Sequence, residues 1–149
     1  MSIVATLDLE LYQMDVKTAF LNGELMEEIF MQQPGGYKVK GQENEVYKLK
    51  KSLYGLKQVS RLWYYTFHNA VVIFGFKAND YDHWNTGSDL IILSLYVDDI
   101  LIAGNRVESI CEAKDFLKSQ FEMKDLGEAS YVLGIQNIRD RKSRILQLS

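Results

Sequence analysis

Two adjacent acidic residues, Asp98 and Asp99, lie between two apolar, β-branched segments, residues 90–96 and 100–103. This pattern predicts a β-hairpin with the acidic pair at its tip. A hairpin that needs only a tight turn usually has Asn-Gly or Asp-Gly there, because these residues adopt a positive φ at low cost. Neighbouring carboxylates repel each other and resist desolvation unless a cation lies between them. The tip is therefore either a solvated acidic turn or one side of a divalent metal site.

A third acid favours the metal site. Asp15 stands near the end of a predicted strand that reaches Val16, after a short helix at the start of the chain. If this strand pairs beside the hairpin, Asp15 and Asp98 can share one or two Mg²⁺ ions. Such ions activate a 3′-hydroxyl and stabilise a departing pyrophosphate. This chemistry depends on positioning more than on proton transfer.

Alternating strands and helices are predicted to position these acids. An apolar, aromatic run without Gly or Pro predicts a buried helix over residues 60–74, which ends before Gly75. Asn105 and Glu108 have the spacing of a capping box for a second, amphipathic helix with Cys111 on its apolar face. Further strands are predicted at residues 28–31, 45–49, 131–138 and 145–148. The fold class that follows is α+β, an antiparallel sheet with helices packed on one face.

The composition fits one ordinary globular domain, with 149 residues of which 47% are hydrophobic. A single cysteine excludes an intrachain disulfide and favours a reducing compartment. No apolar run approaches the roughly 18 to 20 residues of a membrane helix, and the amino terminus lacks the pattern of a signal peptide. We therefore expect an intracellular protein without a transmembrane segment.

The net charge of −3 conceals a basic middle block. Residues 1–37 carry six acids and one lysine (−5), residues 38–61 seven basic and two acidic residues (+5), and residues 62–149 nine basic and twelve acidic residues (−3). The basic residues are interleaved with four aromatic ones, Tyr37, Tyr47, Tyr54 and Trp63. The mixture suits phosphate contact combined with base stacking. A solvated lysine-rich surface is the alternative, and it is the simpler one if the block is taken alone.

Four sequence blocks resemble the reverse transcriptase of copia-type LTR retrotransposons, in order and with family-like spacing. They are QMDVKTAFLNG (13–23), LKKSLYGLKQ (49–58), LYVDDILIAG (95–104) and MKDLGE (123–128). The likeness covers nearly the whole chain. It implies a polymerase palm with part of the fingers and without the thumb, so that residues 1–149 form one partial reverse transcriptase domain.

The resemblance implies RNA-directed DNA synthesis, in which two metal ions assist nucleotidyl transfer from a deoxynucleoside triphosphate to a primer 3′-hydroxyl. Asp15, Asp98 and Asp99 match the family's catalytic, metal-binding aspartates, and Asp15 and Asp98 are the stronger ligand candidates. The implied ions are two Mg²⁺, with Mn²⁺ as a substitute. The implied partners are an RNA or DNA template with its primer, deoxynucleotides, and the integrase and ribonuclease H parts of the same Pol polyprotein, with no membrane. The implied location is the cytoplasm, in a virus-like particle, or the nucleus.

The same resemblance assigns further contacts. Nucleotide contacts are implied for Phe20, Val16, Tyr96 and Gln58, and nucleic-acid contacts for Lys57, Arg61, Lys50 and Lys51. Phe20 matches the aromatic position that lies under the incoming sugar and excludes a 2′-hydroxyl, and a plain core phenylalanine is the alternative. Simple solvation is the alternative for the basic residues. Lys124 is implied to assist the departing pyrophosphate.

Two departures from the family pattern leave the function open. Val59-Ser60 stands where family members have Ala-Pro, so the rigid proline in the first helical turn is lost. Residues 83–88 look short, as if a small strand before Leu90 were trimmed or missing. The chain is then either a catalytic core or a noncatalytic remnant that binds nucleic acid weakly at most. A Mg²⁺-dependent nuclease or another phosphotransferase is a third, less favoured reading.

Overall fold

The computed structural model describes residues 1–23, 25, 27–42, 44–76, 83–86 (backbone), 89–141 and 145–149. The chain divides into two compact units. The first unit consists of Met1–Thr18 and His68–Ser149, and the second of Ala19–Phe67.

The first unit is built on a five-stranded sheet in which every neighbouring pair of strands is antiparallel. Across the sheet, the strands are β4 (His83–Thr86), β5 (Asp89–Tyr96), β6 (Asp99–Gly104), β1 (Glu10–Val16) and β7 (Met123–Glu128). The predicted hairpin is thus present as β5 and β6, and β1 pairs directly beside it. The small strand that the sequence suggested to be trimmed is present as β4.

One face of this sheet, the back face, is packed against helix α3 (Val107–Gln120). Met14, Ile100 and Ile102 point to this face and are fully buried, and Ile110 of α3 packs on it. The contact is close at Gly104, where an added Cβ would lie 2.9 Å from Cγ1 of Ile110. Each fully buried aliphatic side chain of this kind contributes about 1.5 to 3 kcal/mol. The back face is therefore the main core of the unit.

The opposite face is called the front face, and its end at Leu9 and Leu11 is covered. Helix α1 (Ser2–Thr6) buries Val4 there, in a second, smaller cluster. The buried members of this cluster are Val4, Leu9, Leu11, Ala103, Ala129 and Val132. The prediction that the helices pack on one face is therefore wrong for α1, whose five residues supply a single buried side chain to the front face.

The chain after β7 forms a three-stranded sheet of β8 (Tyr131–Val132), β9 (Ile135–Asp140) and β10 (Ile145–Leu148), with β9 in the middle. The predicted strand over 131–138 is thus divided in two. A turn at Leu133 and Gly134 separates the parts, and both residues have positive φ (53° and 79°).

Two predictions about α3 are wrong. Arg106 is its N-cap and makes no side-chain capping bond, while the Asn105 side-chain oxygen accepts a hydrogen bond from the Leu90 N–H (2.9 Å). Asn105 is thus used to fasten β5. Cys111 is exposed and lies outside the core.

The second unit contains a 3₁₀ turn (Ala19–Asn22), the antiparallel strands β2 (Phe30–Gln32) and β3 (Val46–Lys48), and the first part of helix α2 (Val59–Phe74). Val59, Trp63 and Phe67, spaced four residues apart, are buried on one side of α2, as the helical period predicts. The helix begins at Val59 without the family's proline. In the described part of the chain, no helix is long and apolar enough to cross a membrane.

Candidate active site

Four side chains form a row across the strands on the front face, at the end of β1 that holds Asp15. Asp15 of β1 lies opposite Asp99 of β6 on one side and opposite Lys124 of β7 on the other, and Asp99 lies opposite Tyr96 of β5. Directly opposed residues share a face, with Cβ atoms about 4.5 to 5.5 Å apart. We call Tyr96, Asp99, Asp15 and Lys124 the cross-strand row. It brings two of the three predicted aspartates together.

The third aspartate is hydrogen-bonded to the same end of β1. Asp98 lies in the turn between β5 and β6, and its carbonyl oxygen accepts a hydrogen bond from the Val16 N–H (2.8 Å). The hairpin tip is therefore tied to the end of β1, one residue beyond Asp15. The side chain of Val16 is buried on the back face, so of this residue only the backbone reaches the site.

The hairpin turn holds Val97 in a strained conformation. Its φ is +56°, the left-handed region that a β-branched residue rarely adopts. Of the two turn residues, Val97 alone has a positive φ, as the first central residue of a type II′ turn does. Glycine is the usual residue at that position because it has no Cβ. The strain lies directly beside the paired aspartates, as is common at functional sites.

Replacing Val97 with glycine is expected to stabilise the fold by about 1 kcal/mol, because the relief of backbone strain exceeds the extra flexibility of glycine in the unfolded chain. Urea unfolding monitored by circular dichroism measures this change. Val97→Ala retains the Cβ and is the matched control, with a smaller expected change. A lower stability in Val97→Gly would show that the turn is not strained at this residue.

The three carboxylates differ in their protein partners. Asp99 accepts a hydrogen bond through Oδ1 from Nε2 of Gln13 (2.8 Å), and Gln13 is buried. Among the residues that the structure describes, no side-chain hydrogen bond or ion pair is made by Asp15 or Asp98. Asp99 is therefore oriented by the protein, whereas the side-chain oxygens of Asp15 and Asp98 have no protein partner among the described residues.

A complete protein cage for a metal ion is not formed. Within the described ranges, no three His, Cys, Asp or Glu side chains are placed to hold a metal ion together. Mg²⁺ is usually held by one or two carboxylates, while water and substrate phosphates complete its shell. The unpartnered carboxylates of Asp15 and Asp98 fit this kind of site.

In the second unit, Phe20 is buried and its ring packs against Tyr54, with centroids 4.5 Å apart. The buried hydroxyl of Ser52 donates hydrogen bonds to the carbonyl oxygens of Phe20 and Gly23. These contacts are typical of a core phenylalanine, the alternative that the sequence left open. The predicted contact of Phe20 with a sugar stays a prediction.

The four residues predicted to bind nucleic acid lie on the surface of the second unit, together with Gln58, which is predicted to contact the nucleotide. Gln58 and Arg61 line a cavity of about 350 Å³. Gln58 donates a hydrogen bond to Glu27 (3.2 Å), and the Arg61 guanidinium lies over the Tyr65 ring at 5.4 Å. The three lysines of this group are exposed: Lys50, Lys51 and Lys57. Trp63 is buried, so it is a packing residue rather than a stacking surface.

A family model described as Reverse transcriptase (RNA-dependent DNA polymerase) matches residues 1–149. This chain belongs to the reverse transcriptase family. The family match agrees with the resemblance seen in the four sequence blocks.

The relatives of this reverse transcriptase domain are transposon proteins. It is 47% identical over its whole length to the retrovirus-related Pol polyprotein from transposon TNT 1-94 of Nicotiana tabacum, and 40% identical over 83% of its length to that from transposon RE1 of Arabidopsis thaliana. It is 34% identical over 91% of its length to a putative transposon Ty5-1 protein of Saccharomyces cerevisiae. The chain spans 12%, 9% and 45% of these proteins. No solved structure matches it.

Sequence reasoning on this reverse transcriptase domain missed Gln13. The residue is polar and lies two positions before Asp15, so strand alternation places both side chains on the front face. A buried amide in a strand needs a hydrogen-bond partner. That requirement was the available signal, but the partner Asp99 is 86 residues away in sequence.

Proposed function

We propose that this chain is the RNA-directed DNA polymerase core of a copia-type retrotransposon Pol polyprotein. The five-stranded sheet serves as the polymerase palm, and the second unit as part of the fingers. One observation carries the proposal: the register of β5, β6 and β1, with the hydrogen bond from Val16 to Asp98, brings Asp15, Asp98 and Asp99 to the same end of the sheet. Family membership supports the choice of polymerisation over other phosphotransfer reactions.

In the proposed reaction, the primer 3′-hydroxyl oxygen attacks the α-phosphorus of a deoxynucleoside triphosphate, and pyrophosphate leaves. Asp15 and Asp98 would hold two Mg²⁺ ions, or Mn²⁺ in their place. When bound, such ions lower the pKa of the attacking hydroxyl and neutralise charge on the phosphates. Asp99 is held in place by Gln13. Lys124, opposite Asp15, supplies a positive charge for the departing pyrophosphate.

The nucleotide and the template are assigned to different surfaces. Tyr96 is exposed in the cross-strand row and offers an aromatic surface beside the aspartates. We assign the remaining nucleotide contacts to Phe20, the backbone of Val16, and Gln58. Phosphates of the RNA or DNA template with its primer are assigned to Lys50, Lys51, Lys57 and Arg61, which lie in the basic block. Integrase and ribonuclease H parts of a Pol polyprotein are proposed as further partners.

Primer extension tests the proposal. The chain is incubated with an RNA template, a DNA primer, Mg²⁺ and deoxynucleotides, beside the variant Asp98→Asn. The wild type is expected to extend the primer and the variant is not, because the variant lacks one metal-binding charge, while both bind template and primer equally.

If neither protein extends the primer while both bind it equally, the catalytic proposal fails for this chain. The second candidate, a noncatalytic remnant with weak nucleic-acid binding, then stands. It is supported by the exposed lysines of the second unit.

A further inference from the structure

Strand β7 contains an irregularity where it passes beside Asp15. The register between β1 and β7 shifts between Gln13 and Met14. Gln13 lies opposite Gly127 and Met14 lies opposite Asp125, so Leu126 is an extra residue in β7. Gly127 follows it with a φ of +78°. An extra residue of this kind is a β-bulge, a feature that re-aims side chains next to active sites.

The bulge decides which charged side chain stands beside Asp15. Because successive residues of a strand alternate between faces, a shift of one residue exchanges the faces. In the observed register, Lys124 lies opposite Asp15 on the front face. If pairing continued from Gln13 and Gly127 without the bulge, Asp125 would lie opposite Asp15, and Lys124 opposite Val16. Like charges directly opposite each other destabilise a sheet.

A buried cation holds Asp125 on the back face. The side chain of Lys114 in α3 is only 9% exposed, and its Nζ lies 3.0 Å from Oδ1 of Asp125 and 3.9 Å from the centre of the Tyr12 ring. The same Oδ1 accepts a hydrogen bond from the Gly127 N–H (3.0 Å). This hydrogen bond connects the residues on either side of Leu126, the extra residue. Burial raises the pKa of Asp125, but the hydrogen bonds from the Gly127 N–H, Lys114 and Lys118 together outweigh burial, and the pKa is below its ordinary value.

We infer that Lys114 is a positioning residue, which holds the bulge of β7 through Asp125 and thereby places Lys124 beside Asp15. Lys114 lies on the back face and does not reach the cross-strand row. The catalytic consequence rests on the proposed function, whereas the strand register is a property of the fold.

Lys118 offers a matched control. Its Nζ lies 3.3 Å from the other oxygen of Asp125, but its side chain is 40% exposed. Exposed ion pairs contribute little to stability. Its removal is therefore expected to leave the register unchanged.

The register is measured by NMR on the ¹⁵N-labelled full chain. The wild type and Lys118→Met are expected to show contacts between backbone protons of Asp15 and Lys124. Lys114→Met is expected to lose these contacts and to show contacts between Asp15 and Asp125. Unchanged contacts between Asp15 and Lys124 in Lys114→Met would overturn the inference. If Lys114→Met does not fold, Asp125→Asn removes the charge at constant size, with the same expected shift and the same overturning result.

Primer extension measures the consequence. Lys124→Met and Lys114→Met are each expected to lower kcat on the order of 10- to 100-fold with little change in the KM for deoxynucleotide, and the double variant to lose no more than Lys114→Met alone. Additive losses would show that Lys114 does not act through Lys124. If the wild type does not extend a primer, the proposed function fails, while the NMR register still decides the role of Lys114.

Discussion

Replacing Asp15 with asparagine is expected to lower the rate of Mg²⁺-dependent nucleotide addition by at least about 10³-fold. Charge stabilisation by a bound metal ion is worth several kcal/mol, and each 1.4 kcal/mol corresponds to a factor of ten. Asp15 is the central member of the cross-strand row, and no described residue pairs with its side chain. Asparagine has the same size but lacks the negative charge that we propose to hold the ion. Single-nucleotide incorporation in a rapid-quench experiment measures the rate.

Asp115→Asn is the matched control for Asp15→Asn. Asp115 is an exposed acid on α3, so its substitution removes the same charge away from the row. Its rate is expected to equal that of the wild type. Binding of Mn²⁺, followed by paramagnetic broadening of backbone amide signals near Asp98, is expected to be weakened by Asp15→Asn alone. Equal broadening in all three proteins would remove Asp15 from the metal site.

The placement of Asp98 and Asp99 in one hairpin could be predicted because it depends on local patterns. Strand alternation and a two-residue turn fix the positions of Asp98 and Asp99 within one hairpin. The pairing of β1 beside that hairpin was a separate assumption. It rested on the idea that Asp15 and Asp98 bind the same metal ions. The buried side of α2 likewise follows from the spacing of Val59 and Trp63 along one helix.

The missed features depend on long-range contacts. Strand β7 has little apolar alternation, because it is an edge strand whose residues are mostly exposed, and its bulge is held by Lys114 on another element. Asn105 has the spacing of a helix cap, but its side-chain oxygen accepts a hydrogen bond from the Leu90 N–H, fifteen residues away. A local preference yields where a tertiary partner forms the stronger contact. The partners, Lys114 and Leu90, cannot be identified from the residues that surround Asp125 and Asn105 in sequence.

Trp63→Ala is expected to lower the free energy of unfolding by about 3 to 5 kcal/mol. The aromatic residues in and beside the basic block can either pack in the core or stack on a base, and this substitution tests the packing role. Trp63 is 2% exposed and packs on Phe67, with ring centroids 5.8 Å apart. Removing it leaves a large cavity in the second unit. Urea unfolding followed by circular dichroism measures the loss. A loss below about 1 kcal/mol, the size expected at a surface position, would contradict the packing role.

Tyr37→Ala is the matched comparison for Trp63→Ala, and it tests the stacking role. Tyr37 directly precedes the basic block and is 76% exposed, so its truncation is expected to change stability by no more than about 0.5 kcal/mol. An exposed aromatic side chain next to a lysine can stack on a base, which is worth about 1 to 3 kcal/mol per base. We therefore expect Tyr37→Ala to weaken binding of single-stranded RNA while leaving the fold intact. Unchanged RNA affinity in Tyr37→Ala would favour the alternative, in which the basic block is a solvated surface.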